Sequence, residues 1–299
     1  MIPGAPLLNV AARLLVTTIP PTILPVLVDN ASGQGLRLDW TVSKARSSDP
    51  DSATIAVYNL MTTARAQLAA AMAIPSVITR AMLFVGWGGI SELVFGGDVM
   101  ALRAADVEGT DIVTRFEARA GGRSIRDTPP SGSSAYGIQM HLAVSALLGQ
   151  MQLPPSPAAL ATIVAAATAK APVAAMLQHV NLDEPRQALD LLMASVGLGW
   201  DVDAAGFFVV YVGGLRNDVL PAVLCPMSGL LQWSVVDDGG VQFEALAQAT
   251  CVPGQQVTVL DELNVPVGGG PLRVERVEFV GSTTGESIMR GTARKLVPL

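Results

Sequence analysis

The sequence predicts a mainly β protein of the α+β class, and three features predict it. Residues between Leu36 and Leu60 alternate strictly with period two; leucine-rich helical segments set between prolines fill the middle; alternation returns after Gly213-Gly214. With 299 residues, 50% hydrophobic and 15% charged, the chain can bury a large core and divide into two or three domains.

In the first third, Leu36, Leu38, Trp40 and Val42 point one way while Arg37, Asp39, Thr41 and Ser43 point the other. The polar run Ser47 to Asp51 is a turn, and Ala53, Ile55 and Val57 resume the alternation, so Leu36 to Leu60 reads as a hairpin. Thr62 or Thr63 caps a short Ala-rich helix ending near Met72. Strands follow over Met82, Phe84 and Gly86, over Leu93, Phe95 and Val99, and over Ile112, Thr114 and Phe116. Some six short strands and one small helix fit a closed or nearly closed antiparallel barrel.

The texture changes near Pro129. Ser131 to Ser134 is a linker ending in a helix cap, and Ile138, Leu142, Ser145 and Gly149 share one side of a helix closed off by Pro154, Pro155 and Pro157. A second helix starts after Asp183 with Pro185 in its first turn; Leu189, Leu192, Met193 and Val196 form its apolar face, and Gly197 and Gly199 end it. Trp200 to Asp203 and Phe207 to Tyr211 make a small hairpin. Beyond Gly214, strands run over Leu231 to Val235, Val241 to Ala245, Val257 to Leu260 and Ile288 to Leu296. Leu272 and Val274 change phase against Val277 and Phe279, which predicts a β-bulge in a long bent strand. The expected domains are 1–128, 129–214 and 215–299.

Composition narrows the function classes. A formal net charge of -6 supplies no bulk attraction to nucleic acid or to an anionic membrane, so specific nucleic-acid binding is not expected. Met1 to Leu8 has no basic start followed by an unbroken apolar run, and Lys170 and Pro172 interrupt the apolar stretch Ala158 to Met176; neither a signal peptide nor a membrane span is expected. Cys225 and Cys251 are the only cysteines, which excludes a disulfide framework and a cysteine-only zinc site and predicts two buried thiols. Sparse charge beside abundant Ala, Val, Leu and Gly fits a surface partly covered by other chains, although a GC-rich genome enriches Ala, Val and Gly as well.

Catalytic chemistry has little to stand on. The acidic pairs Asp183-Glu184, Asp237-Asp238 and Asp261-Glu262 all fall at turns or helix starts, where neighbouring carboxylates point apart into solvent. His141 and His179 have no cysteine near them in sequence to complete a metal site. A Gly-x-Ser-x-Gly elbow is absent, and Gly86 to Gly89 and Gly268 to Gly270 lack the Lys-Ser/Thr ending of a phosphate loop. Trp40, Trp87, Trp200 and Trp233 could stack bases or sugars, but each lies in or beside an apolar strand, which favours burial. No cofactor, metal or catalytic residue is expected.

Three blocks in order resemble the phage tail hub family, also called baseplate hub or late control proteins. The first comprises Trp40-Thr-Val-Ser-Lys44, Ala53 to Tyr58-Asn59-Leu60, and Phe95-Gly-Gly97-Asp-Val99. The second, Pro185 to Tyr211, carries a Leu-rich helix leading into Gly-x-Trp200 and a hairpin. The third comprises Ser228-Gly229-Leu230, Gly240-Val241, Pro253-Gly254 with Val257, and Leu272 to Val277. The resemblance spans nearly the whole chain. It departs at Pro154 to Gln178, which is longer and richer in Ala, and at Glu278-Phe279, where His or Thr is common.

The resemblance implies a homotrimer whose two barrel-like domains, related to the tail-tube fold, alternate around a ring. Three chains then present six similar units, so one face docks a sixfold tube or distal tail protein and the other a threefold spike protein. An acidic lumen would pass the tape measure protein and DNA, and the permanent interfaces would bury ~2,000 Å² or more. Trp40, Lys44, Tyr58, Asn59, Leu60, Phe95, Gly97, Trp200, Gly229, Pro253 and Gly254 are then framework residues of a virion protein at the tail tip or baseplate, assembled in the host cytoplasm. Two other classes stay open at this point: a tail-associated cell-wall hydrolase and a host-glycan-binding β module.

Overall fold

Leu38, Trp40 and Val42 share one strand face, Ala53, Ile55 and Val57 another, and pairing the two strands merges them into one apolar surface. A computed structural model buries all six. The structure describes residues 10–30, 35–46, 50–87, 90–122, 134–135, 138–170, 176–177, 180–181, 185–236 and 239–296.

The first region contains β1 (Val10–Ile19), β2 (Val26–Asp29), β3 (Leu38–Ala45), β4 (Ser52–Tyr58), α1 (Thr62–Met72), β5 (Ile78–Trp87), β6 (Ile90–Glu108) and β7 (Asp111–Arg119). The middle holds β8 (Ser134–Ala135), β9 (Ile138–Gln139), α2 (Met140–Gln150), α3 (Ala159–Lys170), β10 (Met176–Leu177), β11 (Val180–Asn181), α4 (Pro185–Ser195), β12 (Leu198–Val202), β13 (Phe208–Val212) and β14 (Leu215–Arg216). The last region contains β15 (Ala222–Leu224), β16 (Leu230–Val235), β17 (Val241–Leu246), β18 (Gln256–Val259), β19 (Leu272–Ser282) and β20 (Ser287–Lys295).

The expected pair of closed barrels is replaced by one 13-stranded sheet, ordered β16-β17-β20-β19-β3-β4-β7-β6-β5-β1-β2, with β18 on β19 and β15 parallel to β18. The two β regions meet where β3 pairs antiparallel with β19, from Arg276↔Ala45 to Ser282↔Asp39. Each region would otherwise leave an apolar edge open, and pairing the edges satisfies both backbones while merging the cores. A single apolar cluster accordingly runs from Leu14 and Phe95 through Trp40 and Phe279 to Phe243.

Several local expectations need correction. The helix near residue 62 takes Met61 as N-cap with no side-chain cap, so neither threonine has that role. The strands of the first region are not all short: β6 is 19 residues long, with register shifts near Val99 and Arg103. The first helix of the middle region begins at Met140, and its buried face is Met140, Ala143, Val144, Leu147 and Leu148, while the expected core residue Leu142 is exposed. The Ala-rich stretch forms α3, with Ala159, Ile163 and Ala167 buried. By contrast, α4 starts at Pro185 and buries Leu189, Leu192 and Met193, and β19 shifts register between Val274 and Arg276 as its phase change predicts. The turn at 47–49, the linker at 131–133 and the start of α4 at 183–184 lie outside the described residues.

The helices and the β12–β13 hairpin enclose a second apolar core around Leu147, Leu189, Trp200 and Phe208. This layer sits on the sheet through close backbone contact. A Cβ on Gly96 of β6 would stand 2.1 Å from the Ala204 carbonyl oxygen, and Arg273 of β19 donates to the Gly213 carbonyl at 2.9 Å. No described helix is long and apolar enough to cross a membrane.

Candidate functional site

The alternation that builds the β3–β4 hairpin also carries two charges inward. Lys44 follows Leu38, Trp40 and Val42 in phase, and Asp51 precedes Ala53, Ile55 and Val57 in phase, so both end up on the apolar side of the hairpin end. They are 2% and 5% exposed. The β12–β13 hairpin caps the same place with Asp201 and Tyr211, both buried, and Arg216 of β14 closes it. These groups and Asp203 line a cavity of about 200 Å³. Tyr211 Oη donates to Asp201 Oδ2 at 3.1 Å, and the Val202 N–H donates to Asp201 Oδ1 at 2.7 Å. Arg216 forks onto Asp218, Nε at 2.9 Å and Nη2 at 2.5 Å, while its backbone N–H donates to the Gly254 carbonyl at 2.8 Å.

Burial dominates the electrostatics here. It pushes the Asp51 carboxyl up to about 7 against the pull of the Lys44 ammonium. Burial, reinforced by the charge of Asp51, raises Asp201 well above the usual carboxylate range, and burial beside Asp201 raises Tyr211. Burial lowers Lys44, whose ammonium also stands 5.5 Å from the centre of the Phe279 ring. Such a cluster ties the middle layer to the sheet. It offers no water-exposed acid and base, and among the described residues no group of three His, Cys, Asp or Glu could hold a metal.

The framework residues surround this junction and the core. Trp40, Leu60 and Phe95 are core side chains, and Gly97 pairs with Ala81 on β5. Tyr58 is buried under the Arg37 guanidinium, 4.2 Å from the ring centre. Asn59 adopts a left-handed φ of 57°, which asparagine tolerates, and its amide clamps the start of β7. Its Oδ1 accepts from the Ile112 N–H at 3.0 Å and its Nδ2 donates to Asp111 Oδ1 at 2.9 Å. Trp200 Nε1 donates to Asp190 of α4 at 2.7 Å, joining helix to hairpin. Gly229 ends the single turn Pro226–Ser228. Pro253 lines the charged cavity, and Gly254, at φ 77°, lies so close that a Cβ would stand 2.3 Å from Tyr211 Cε1.

Other candidates stay apart. Asp261 Oδ1 accepts from the Leu263 and Val265 N–H groups at 2.8 Å each, a turn-forming role, with Glu262 exposed beside it. His141 is partly buried on α2; His179, Asp183-Glu184 and Asp237-Asp238 lie outside the described residues. Two expectations of burial fail. Trp233 is 42% exposed because β16 is the last strand of the sheet and nothing described covers its apolar side. Cys225 is a free, partly exposed thiol, whereas Cys251 is free, buried and pushed up to about 12 by that burial.

No family model and no curated protein matches this sequence. Solved structures do match. A 43 kDa tail protein of prophage MuSo2 from Shewanella oneidensis superposes with a TM-score of 0.60 at 10% identity, covering 95% of this chain and 98% of the other. The chain has a phage tail protein fold. A tail protein from Neisseria meningitidis shares this tail-protein fold with a TM-score of 0.57, 12% identity and coverage of 95% and 96%. A component of the Escherichia coli type VI secretion system, described as structurally similar to the T4 tail proteins gp27 and gp5, follows with a TM-score of 0.55, 8% identity and coverage of 87% and 74%.

Signals for the charged junction existed in the sequence. Lys44 and Asp51 each continue an apolar phase, which marks a charge bound for burial. Asp201 gave no such sign, since it is out of phase with Trp200 and is buried because β12 is covered on both faces.

Proposed function

We propose that this chain is a structural hub of a phage tail or baseplate, a homotrimer whose ring adapts a sixfold tail tube to a threefold spike and lines the passage for the tape measure protein and DNA. The observation that carries it is the superposition on the MuSo2 tail protein over 95% of one chain and 98% of the other, which leaves little of either for an added activity. The third likeness points the same way, being to a secretion component described as similar to two T4 tail proteins.

In this reading the chain works by shape. The divisions 1–128, 129–214 and 215–299 are its functional parts, with the first and last sharing the sheet that faces the channel and the middle clamped outside by the Lys44–Asp51–Asp201–Arg216 junction. The framework residues from Trp40 to Gly254 hold that geometry, and none acts as catalyst or cofactor ligand. The site of action is the tail tip or baseplate of the virion.

Sedimentation equilibrium of the purified chain tests the trimer directly, and a monomer at every concentration would overturn it. Electron cryomicroscopy of particles should place three copies between tube and spike. Clearing of peptidoglycan on a zymogram, abolished by changing one Asp or Glu, would replace the structural reading with a hydrolase.

A further inference from the structure

The sheet has two ends, and both are apolar where free edges are ordinarily guarded. Natural edge strands carry lysine, proline or an inward charge to prevent pairing with other chains. β16 reads Leu-Leu-Gln-Trp-Ser-Val and has no charged residue. β2 reads Val-Leu-Val-Asp, and its one charge is taken up by Arg13, 3.0 Å from Asp29.

On β16 the alternation is that of a covered strand. Gln232 and Ser234 share the face of Glu244 and Gln242, while Trp233 and Val235 share that of Phe243 and Val241. Phe243 and Val241 are buried, yet Trp233 and Val235 are 42% and 54% exposed, so the apolar face extends one strand beyond what the described residues cover. At the other end Leu24 and Leu27 are 77% and 61% exposed. The chain already joins its two β regions edge to edge at β3 and β19.

We infer that the β16 edge of one copy docks on the β2 edge of the next copy, continuing the sheet from chain to chain. This deepens the ring reading and rests on it. A head-to-tail contact uses both apolar edges of every copy and closes into a ring. A β16-to-β16 pairing would stop at two copies and leave both β2 edges bare. The occupant of each edge is thus a second copy of this chain.

The test uses the full chain carrying Cys225→Ser, with single cysteines at 26–29 in one isotopically labelled pool and at 231–235 in an unlabelled pool. After mixing and mild oxidation, disulfides should join 26–29 of one pool to 231–235 of the other. Links confined to 231–235 with 231–235, or no links in a chain that still oligomerises, would overturn the docking. The variant W233K/V235K changes only exposed side chains; it should keep the wild-type circular dichroism and melting of the monomer while weakening association at least tenfold. An unchanged assembly would overturn the edge docking but leave the hub reading standing. Cross-edge disulfides in a chain absent from purified tails would instead support the docking and remove the hub reading.

Discussion

Asp51 shows how one residue couples burial to pH. Its carboxyl titrates near 3.8 when unfolded and about 7 in the fold, so between those values the folded chain holds a proton that the unfolded chain has lost. Stability is therefore greatest on this account below pH ~4 and falls as pH rises towards 7, by up to a few kcal/mol at ~1.4 kcal/mol per unit. Asp201, raised in the same direction, adds to the slope. Lys44 acts oppositely, because its depressed value favours folding as pH climbs from that value towards 10.5. Asp51→Asn should flatten the acid side of the profile, as urea melts between pH 4 and 7 would show. Gly254→Ala should cost ~1–2 kcal/mol from the left-handed backbone alone and more from contact with Tyr211, lowering the melting temperature without altering the mass of the assembly.

At the scale of elements, the weight falls on the β3–β19 seam and on α4. Phe279 is fully buried opposite Val42 and beneath the Lys44 ammonium, so Phe279→Ala should destabilise by ~3–5 kcal/mol, measured by denaturant titration. Leu189→Ala on α4 should cost ~2–5 kcal/mol but open the middle core, so fluorescence of Trp200 should report it first. Both α4 and the β19 bulge were legible from sequence because their periodicity comes from one buried face against one exposed face. The face of α2 was misread for the opposite reason. With Ala and Leu all round and little charge, neighbouring helices rather than its own pattern select which side is buried.

For the whole molecule, a shared core makes the two β regions interdependent. Residues 1–128 expressed alone should fail to give a cooperative melt, since the β3 edge loses β19 and the cluster around Trp40 loses Phe279 and Val277. Retention of a sharp transition by that fragment would show that each region folds by itself.

The sequence by itself determined the β, then α+β, then β order, the hairpin phases and the bulge, because each follows from the period of apolar residues along a few neighbours. Only the tertiary structure decided that the two β regions share one sheet, that Asp201 is buried with Lys44 and Asp51, and that Trp233 is left uncovered. Those outcomes depend on which edges and faces meet across more than two hundred residues of chain, and strand pairing at that range leaves no mark on local periodicity.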